Sequence, residues 1–556
     1  MLLTVNLPVL AGIYEEIIMG NNESNVAYYY DEEKSEEEPY IGEEKEEYAY
    51  DEETYSEENK YEEMKEEIEY IEIDAMGGYI PIMPLLATID FATGAFTVAN
   101  GETVEIVAGG VVTGNITVEA GGTLYIEDGA IINARIIVEG TATMNGGKIS
   151  GNTAGAGAGG GVYIYGGTFT MNGGKINDNI AWNVGSGSGG GGVALSGGDF
   201  IMNGGEIRDN GASFGGGVYV TEGNFVMNGG EISDNNASFG GGVYVTEGNF
   251  TMNGGEISDN AIHYGSGSAF GGGVYVTEGN FIMNGGEISG NATTHASGGG
   301  VYVYQGNVIM TGGRITGHVI SNRGTGGGVN VVKGDFTMYD GEISGNATTH
   351  GSGGGVHVTE GNVIMNGGKI NQNIASDTQG GSVTRVYEAF GGGVYVHGGN
   401  FTMNGGEING NKCDWGNMVG SGPDTRGGGI YVFGDVIMTG GEISENIVKF
   451  GSGGGIYVVG DILMSGGKIN GNTANWDGGG IYMIEGKFIM HAGKISENTA
   501  IYNGGGIYMT GGEFIMHAGE ISENTANWYG GGVFIRDGYR QGMHMIRKLY
   551  NAWRRN

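Results

Sequence analysis

Residues 215–235 read GGGVYVTEGNFVMNGGEISDN, and residues 240–260 repeat them with a single change, GGGVYVTEGNFTMNGGEISDN. Self-similarity of this kind decides the fold before any single residue does, because a unit too small to bury its own core folds only by stacking on its neighbours. Aligned on the aliphatic residue after the triple glycine, the unit recurs fourteen times, at Val162, Val193, Val218, Val243, Val274, Val301, Val329, Val356, Val394, Ile430, Ile456, Ile481, Ile507 and Val533. From that residue to the Asn that closes the unit, as from Val218 to Asn235, the distance is 17 positions in nearly every copy. From the Asn to the next aliphatic it runs from 8 (Asn235 to Val243) to 21 (Asn373 to Val394). Every insertion therefore falls in one loop.

Within the unit, strand alternation puts Val218 and Val220 on one side of GVYV and Tyr219 on the other. The same rule turns Phe225 and Met227 inward, and Ile232 inward with Glu231 and Ser233 outward. TEGN and NGG between them are turn chemistry, since Gly and Asn tolerate left-handed backbone. The expectation is three short strands per unit, forming one triangular coil. Stacked coils pair their backbones at about 4.8 Å, so fourteen would make a rod on the order of 65 Å long. Met171, Met202, Met227, Met252 and Met283 should then stack inside, as should Ile176, Ile207, Ile232, Ile257 and Ile288. The closing Asn residues should form a ladder of their own, with His318 as its one exception. The Tyr beside each first-strand valine, from Tyr163 to Tyr508, is expected to form an exposed stack.

Bulk composition agrees. Glycine supplies 122 of 556 residues and proline only 5, which excludes collagen and marks the glycines as corners. A single cysteine, Cys413, rules out an intramolecular disulfide framework and a thiolate metal site. The formal charge of −39 argues against nucleic acid as a partner and leaves cations and neutral glycans. No stretch has the roughly 18–20 apolar residues of a membrane span.

Composition also divides the chain. Residues 1–20 are a hydrophobic start, with a degenerate secretion signal as one reading. Residues 21–75 are an acidic, tyrosine-rich spacer, expected to be disordered: between Asn21 and Asp74 there are 23 acidic residues and 4 lysines, with no apolar period that could bury a face. Residues 79–150 carry short β-branched runs and read as the N-terminal cap and entrance coils, and residues 151–535 are the repeat array. Residues 536–556 form a basic tail with Met545, Leu549 and Trp553 at helical spacing, read as a cap on the last coil.

The motifs GGG[VI]YV, F.MNGG and ISxN resemble those of right-handed parallel β-helix proteins. They are similar in style to bacterial polymorphic outer-membrane and adhesin-like repeats, over roughly Val104 to Ile535. The resemblance implies an all-β solenoid with a pectin-lyase-like fold. It is weak for function, because the same fold carries polysaccharide lyases, phage tailspikes and autotransporter passengers. Right-handed crossovers follow from the resemblance and from the general preference for that hand.

Three candidate chemistries stand out from the repetition. An acidic ladder, Glu206, Glu231 and Glu256 with Asp209, Asp234 and Asp259, could bind Ca2+ weakly; no other cofactor is expected. Aromatic residues gather in the variable loop, with Trp182, Trp415, Trp476 and Trp528 joined by Phe214, Phe239, Tyr264, Phe270 and Phe390. These rings could stack on sugars or fold back to seal the core edge. The two longest insertions carry Asp377, Arg385, Glu388, Asp414, Asp424 and Arg426, where a lyase or hydrolase would need its acid and base. The reading that results is a secreted or surface-displayed, adhesin-like binding protein for polysaccharide or cell-surface partners. A carbohydrate-active enzyme of the same fold and a purely structural stalk are the alternatives.

Overall fold

The computed structural model describes residues 86–536, apart from 155–158, 183–188, 263–268, 292, 295, 322–323, 377–388 and 415–424. All of these belong to one unit, Pro81–Asn556. The apolar start, the acidic spacer and the basic tail beyond Arg536 lie outside the described residues.

The chain winds as a parallel β-solenoid. Around one coil, Val243–Glu247, Asn249–Met252, Glu256–Ser258 and Ala261–Ile262 follow one another. The first three pair with their equivalents in the coils before and after, Val243 with Val218 and Val274, Met252 with Met227 and Met283, Ile257 with Ile232 and Ile288, while Ala261–Ile262 pairs with the coil before. Repeat length sets the register, because a slip of one residue would turn the whole apolar set outward.

Val218, Val220, Phe225, Met227 and Ile232 are wholly buried, as are nearly all their equivalents along the array before the last coil. Each such side chain contributes roughly 2 kcal/mol of transfer free energy, and it is available only because a coil lies above and below. The inner Phe rings stack nearly parallel, Phe200 on Phe225 at 4.8 Å and Phe225 on Phe250 at 4.7 Å. The Met and Ile columns expected from the sequence run in register from coil to coil. Residues 86–150 form shorter coils, with Val104, Leu124 and Ala142 in one column and Val112, Ile132 and Ile149 in another.

The glycines of TEGN and NGG take the expected left-handed backbone, as at Gly223 and Gly230, but one expectation about the coil needs correction and one further corner went unread. A coil has four strands rather than three: after the closing Asn comes a short strand such as Gly211–Phe214, Ala347–Thr349 or Lys412–Asp414. In most coils it buries a short side chain, among them Ala375, Cys413, Val448 and Ala474. The left-handed corner before the closing Asn is made by whichever residue stands there, with no requirement for Gly or Asn. Asp209, Asp234 and Asp259 have φ of 56°, 55° and 53°, while Gly290 and Gly410 fill the same position elsewhere.

The buried Asn ladder is continuous. Asn235 donates from its backbone N–H and its Nδ2 to Asn260 Oδ1, at 3.0 Å each, and from Nδ2 to the Ile207 carbonyl at 2.8 Å. Its own Oδ1 accepts the equivalent pair from Asn210. His318 stands in for an amide: Nδ1 accepts the Asn291 N–H at 3.1 Å, and Nε2 lies 3.0 Å from the Ile288 carbonyl. With Nδ1 accepting, Nε2 carries the proton. Two further ladders went unread in the sequence. Asn172, Asn203, Asn228, Asn253 and Asn284 bond side chain to side chain along one exposed turn. Along another, Asn280, Asn307, Asp335, Asn362 and Asn400 each donate a backbone N–H to the side chain before.

Candidate functional site

The variable corner runs from the closing Asn, through the short fourth strand, to the triple glycine that opens the next coil. The third glycine has no room for a side chain: a Cβ at Gly217 would stand 2.8 Å from both Ile232 Cγ2 and the Gly242 carbonyl. The return into the first strand is thus pinned tightly, while the segment before it varies in length.

The rings of this corner fold back over the outer face of the first strand. Phe214 stacks on Phe239 at 5.6 Å and on Tyr219 at 6.0 Å, Phe270 lies 4.5 Å from Tyr302, and Phe390 lies 4.9 Å from Tyr431. The Arg426 guanidinium sits 5.3 Å from both the Phe390 and the Tyr457 rings. The tyrosines do stack as a ladder, Tyr431 on Tyr457 at 5.2 Å and Tyr457 on Tyr482 at 4.8 Å. They are not exposed, however: Tyr302 and Tyr508 keep 5% and 3% of their surface, Tyr302 beneath Phe270 and Tyr508 between Tyr482 and Phe534. Burial, then the neighbouring Tyr244, pushes the Tyr275 phenol up to about 12. Replacing Phe270 by alanine should lower that value toward 10 and cost about 2 kcal/mol, which a spectrophotometric phenol titration and an unfolding curve would read.

Face-to-face stacking consumes the ring faces that a sugar would use. Phe390 is one of the predicted ligand contacts, and its ring is already covered by Tyr431 and Arg426. The tryptophans differ. Trp182 is 41% and Trp528 65% exposed, Trp476 is half-buried, and Trp415 lies outside the described residues. Trp476, Tyr502 and Trp528 form one column, linked by the Tyr502 N–H donating to Trp476 O and the Trp528 N–H to Tyr502 O. Tyr502 and Trp528 are 4.7 Å apart.

Of the candidate catalytic residues, Asp377, Arg385, Glu388 and Asp424 lie outside the described residues. Asp414 receives Lys412 Nζ at 2.6 Å and Lys449 Nζ at 3.2 Å. Burial works to raise its pKa, but the hydrogen bonds and charge of these two lysines outweigh it and hold the carboxyl below its ordinary value. A carboxylate so held is a poor general acid. Arg426 is occupied on ring faces. Cys413, next to Asp414 in the chain, is fully buried with its Sγ on the Ala389 carbonyl, and burial pushes its thiol up to about 12, which leaves little thiolate at neutral pH.

The acidic ladder is in register, Glu206 beside Glu231 beside Glu256 beside Glu287, and lines a shallow open groove with the glycines that precede each Glu. Elsewhere the same column carries cations that pair within it: Lys175 with Glu206 at 3.0 Å, Lys369 with Glu407 at 3.2 Å and Lys494 with Glu520 at 3.3 Å. Burial, followed by Asp209 and Asp259, raises the Asp234 carboxyl. Asp209, Asp234 and Asp259 also have an architectural role as the left-handed corner residues. Among the described residues, no group of three or more His, Cys, Asp or Glu could hold a metal ion.

Comparison with models of known protein families, with curated proteins and with solved structures finds no match. The function therefore has to be argued from the solenoid itself. No helix among the described residues is long and apolar enough to cross a membrane.

Proposed function

We propose that the chain is a non-enzymatic, adhesin-like binding protein, secreted or displayed at a cell surface, that meets a polysaccharide or a cell-surface partner along its variable corner. One observation carries this reading. The wall from the triple glycine to the closing residue keeps its length to within one position in the thirteen units that have one, while the corner after it varies from 8 to 21 positions and carries four of the five tryptophans. A rigid scaffold with its variation confined to one edge is the arrangement by which loops carry recognition. The resemblance of the motifs to right-handed, pectin-lyase-like adhesin repeats points the same way. The acidic stretch 21–75 would act as a spacer.

A structural stalk is the second reading, favoured by the rings stacked on one another at the corner instead of offering their faces. Screening the full chain against a polysaccharide array, with reducing-sugar and unsaturated-product assays on the same polymers, separates the readings. Under the binding proposal the chain captures a polymer without turnover, and the Trp182→Ala, Trp528→Ala double variant binds it at least tenfold more weakly while melting as the parent does. No capture of any polymer or cell surface would leave the stalk, and product release would establish an enzyme.

A further inference from the structure

The last coil leaves an apolar face open. Phe514, Met516, Ile521, Val533 and Ile535 are only partly buried, whereas the residues in the same columns one coil earlier, Phe488, Met490, Ile495, Ile507 and Met509, are wholly buried. The backbone is open as well. Glu513–Met516, Glu520–Ser522, Thr525–Ala526 and Val533–Ile535 pair with the coil before and, among the described residues, with nothing after. Apolar side chains beside unpaired strand edges form a template for another strand or another copy, and a solenoid needs its terminal units covered.

Twenty residues follow Arg536, DGYRQGMHMIRKLYNAWRRN. Three features fit them to this face. They leave directly from Val533–Ile535, so no gap has to be crossed. Met545, Leu549 and Trp553, with Ile546 alongside, mark the apolar stripe of a helix. A helix over 543–555 would be about 20 Å long, longer than any one of the three- and four-residue strands of the last coil. Their charge is also complementary. Arg540, Arg547, Lys548, Arg554 and Arg555 stand against the single acid Asp537, whereas residues 507–535 hold Glu513, Glu520 and Glu523 and neither Lys nor Arg.

We infer that residues 537–556 of this same chain dock on the last coil, burying Phe514, Met516, Ile521, Val533 and Ile535 under Met545, Leu549 and Trp553, with the basic residues turned toward Glu513, Glu520 and Glu523. Docked there, the tail blocks the edge to which a second copy would add. At the other end of the stack, Leu86–Ala92 pairs, among the described residues, on one side only and carries Phe91 at 68% exposure, which is the edge such a copy would offer.

Amide exchange followed by mass spectrometry tests this on three proteins: the full chain, a Leu549→Asp, Trp553→Asp variant of full length, and a chain stopped after Arg536. The expected result is slow exchange over residues 508–535 in the parent and at least tenfold faster exchange there in both altered proteins, with residues 218–480 unchanged as an internal reference. Light scattering should find the parent monomeric. Equal exchange over 508–535 in all three proteins would overturn the inference, as would loss of protection spread evenly through 218–480. So would a head-to-tail oligomer whose last coil stays protected after truncation, because a second copy would then be the occupant.

Discussion

Asn235→Ala should lose about 4 kcal/mol of local stability, while Asn228→Ala, seven residues earlier in the same coil, should lose less than about 1 kcal/mol. Both residues belong to amide ladders with donor–acceptor distances near 3 Å, so hydrogen-bond count alone would not separate them. Burial does. Asn235 is wholly inaccessible, and removing its side chain orphans the Asn210 N–H and half of the Asn210 Nδ2 donation, and takes a donor from the Ile207 carbonyl, in a place water does not reach. Each orphan costs on the order of 1–3 kcal/mol. Asn228 donates to Asn203 and accepts from Asn253 on an exposed turn, where water replaces both bonds. Because a long repeat array unfolds in parts, amide exchange across residues 210–260 is the proper readout. Equal losses at the two positions would mean that the buried ladder is not what holds successive coils together.

The contrast also shows what the sequence made legible. Alternation within VYV, FVM and EIS, repeated at fixed length, was enough to place Val218, Phe225, Met227 and Ile232 inside and to put each column in register. Alternation says which side a residue faces and nothing about what covers that side. Tyr302 and Tyr508 therefore read as exposed when both are buried, Tyr302 with the Phe270 ring of the variable corner against it. The fourth strand was hidden for a similar reason: it buries a single Ala, Cys or Val, too short a pattern to show a period. Asn203 and Asn228 read only as turn residues, because side-chain bonding from coil to coil depends on a spacing near 4.8 Å that stacking alone creates. Asp209, Asp234 and Asp259 looked like a charge pattern; their backbone shows a corner position that Gly occupies in other coils.

Acidification should weaken the middle of the stack more than the repeat alone would explain. His318 and His357 are both buried, and burial lowers the pKa of each from 6.5 to about 4. In the unfolded chain these rings take up a proton near 6.5, while in the folded chain they resist until about 4. The unfolded state therefore binds more protons across that interval. The stability tied to the two rings is whole above about pH 6.5 and is lost as pH falls toward 4, by about 3 kcal/mol apiece. His318 gives the cleaner test, because its Nδ1 is already committed to accepting the Asn291 N–H, and a proton there would set two donors face to face. His318→Asn would restore the ladder, supplying the Oδ1 that Asn291 Nδ2 lacks, since that nitrogen bonds only the Ile257 carbonyl. The variant should match or exceed the parent at about pH 7.5 and surpass it by a further 2–3 kcal/mol or so at about pH 4.5. Carboxylates elsewhere titrate alike in both proteins, so the difference between them isolates the ring. A stability gap that does not widen on acidification would mean that the imidazole is not held neutral in the ladder, and its place there would need another explanation.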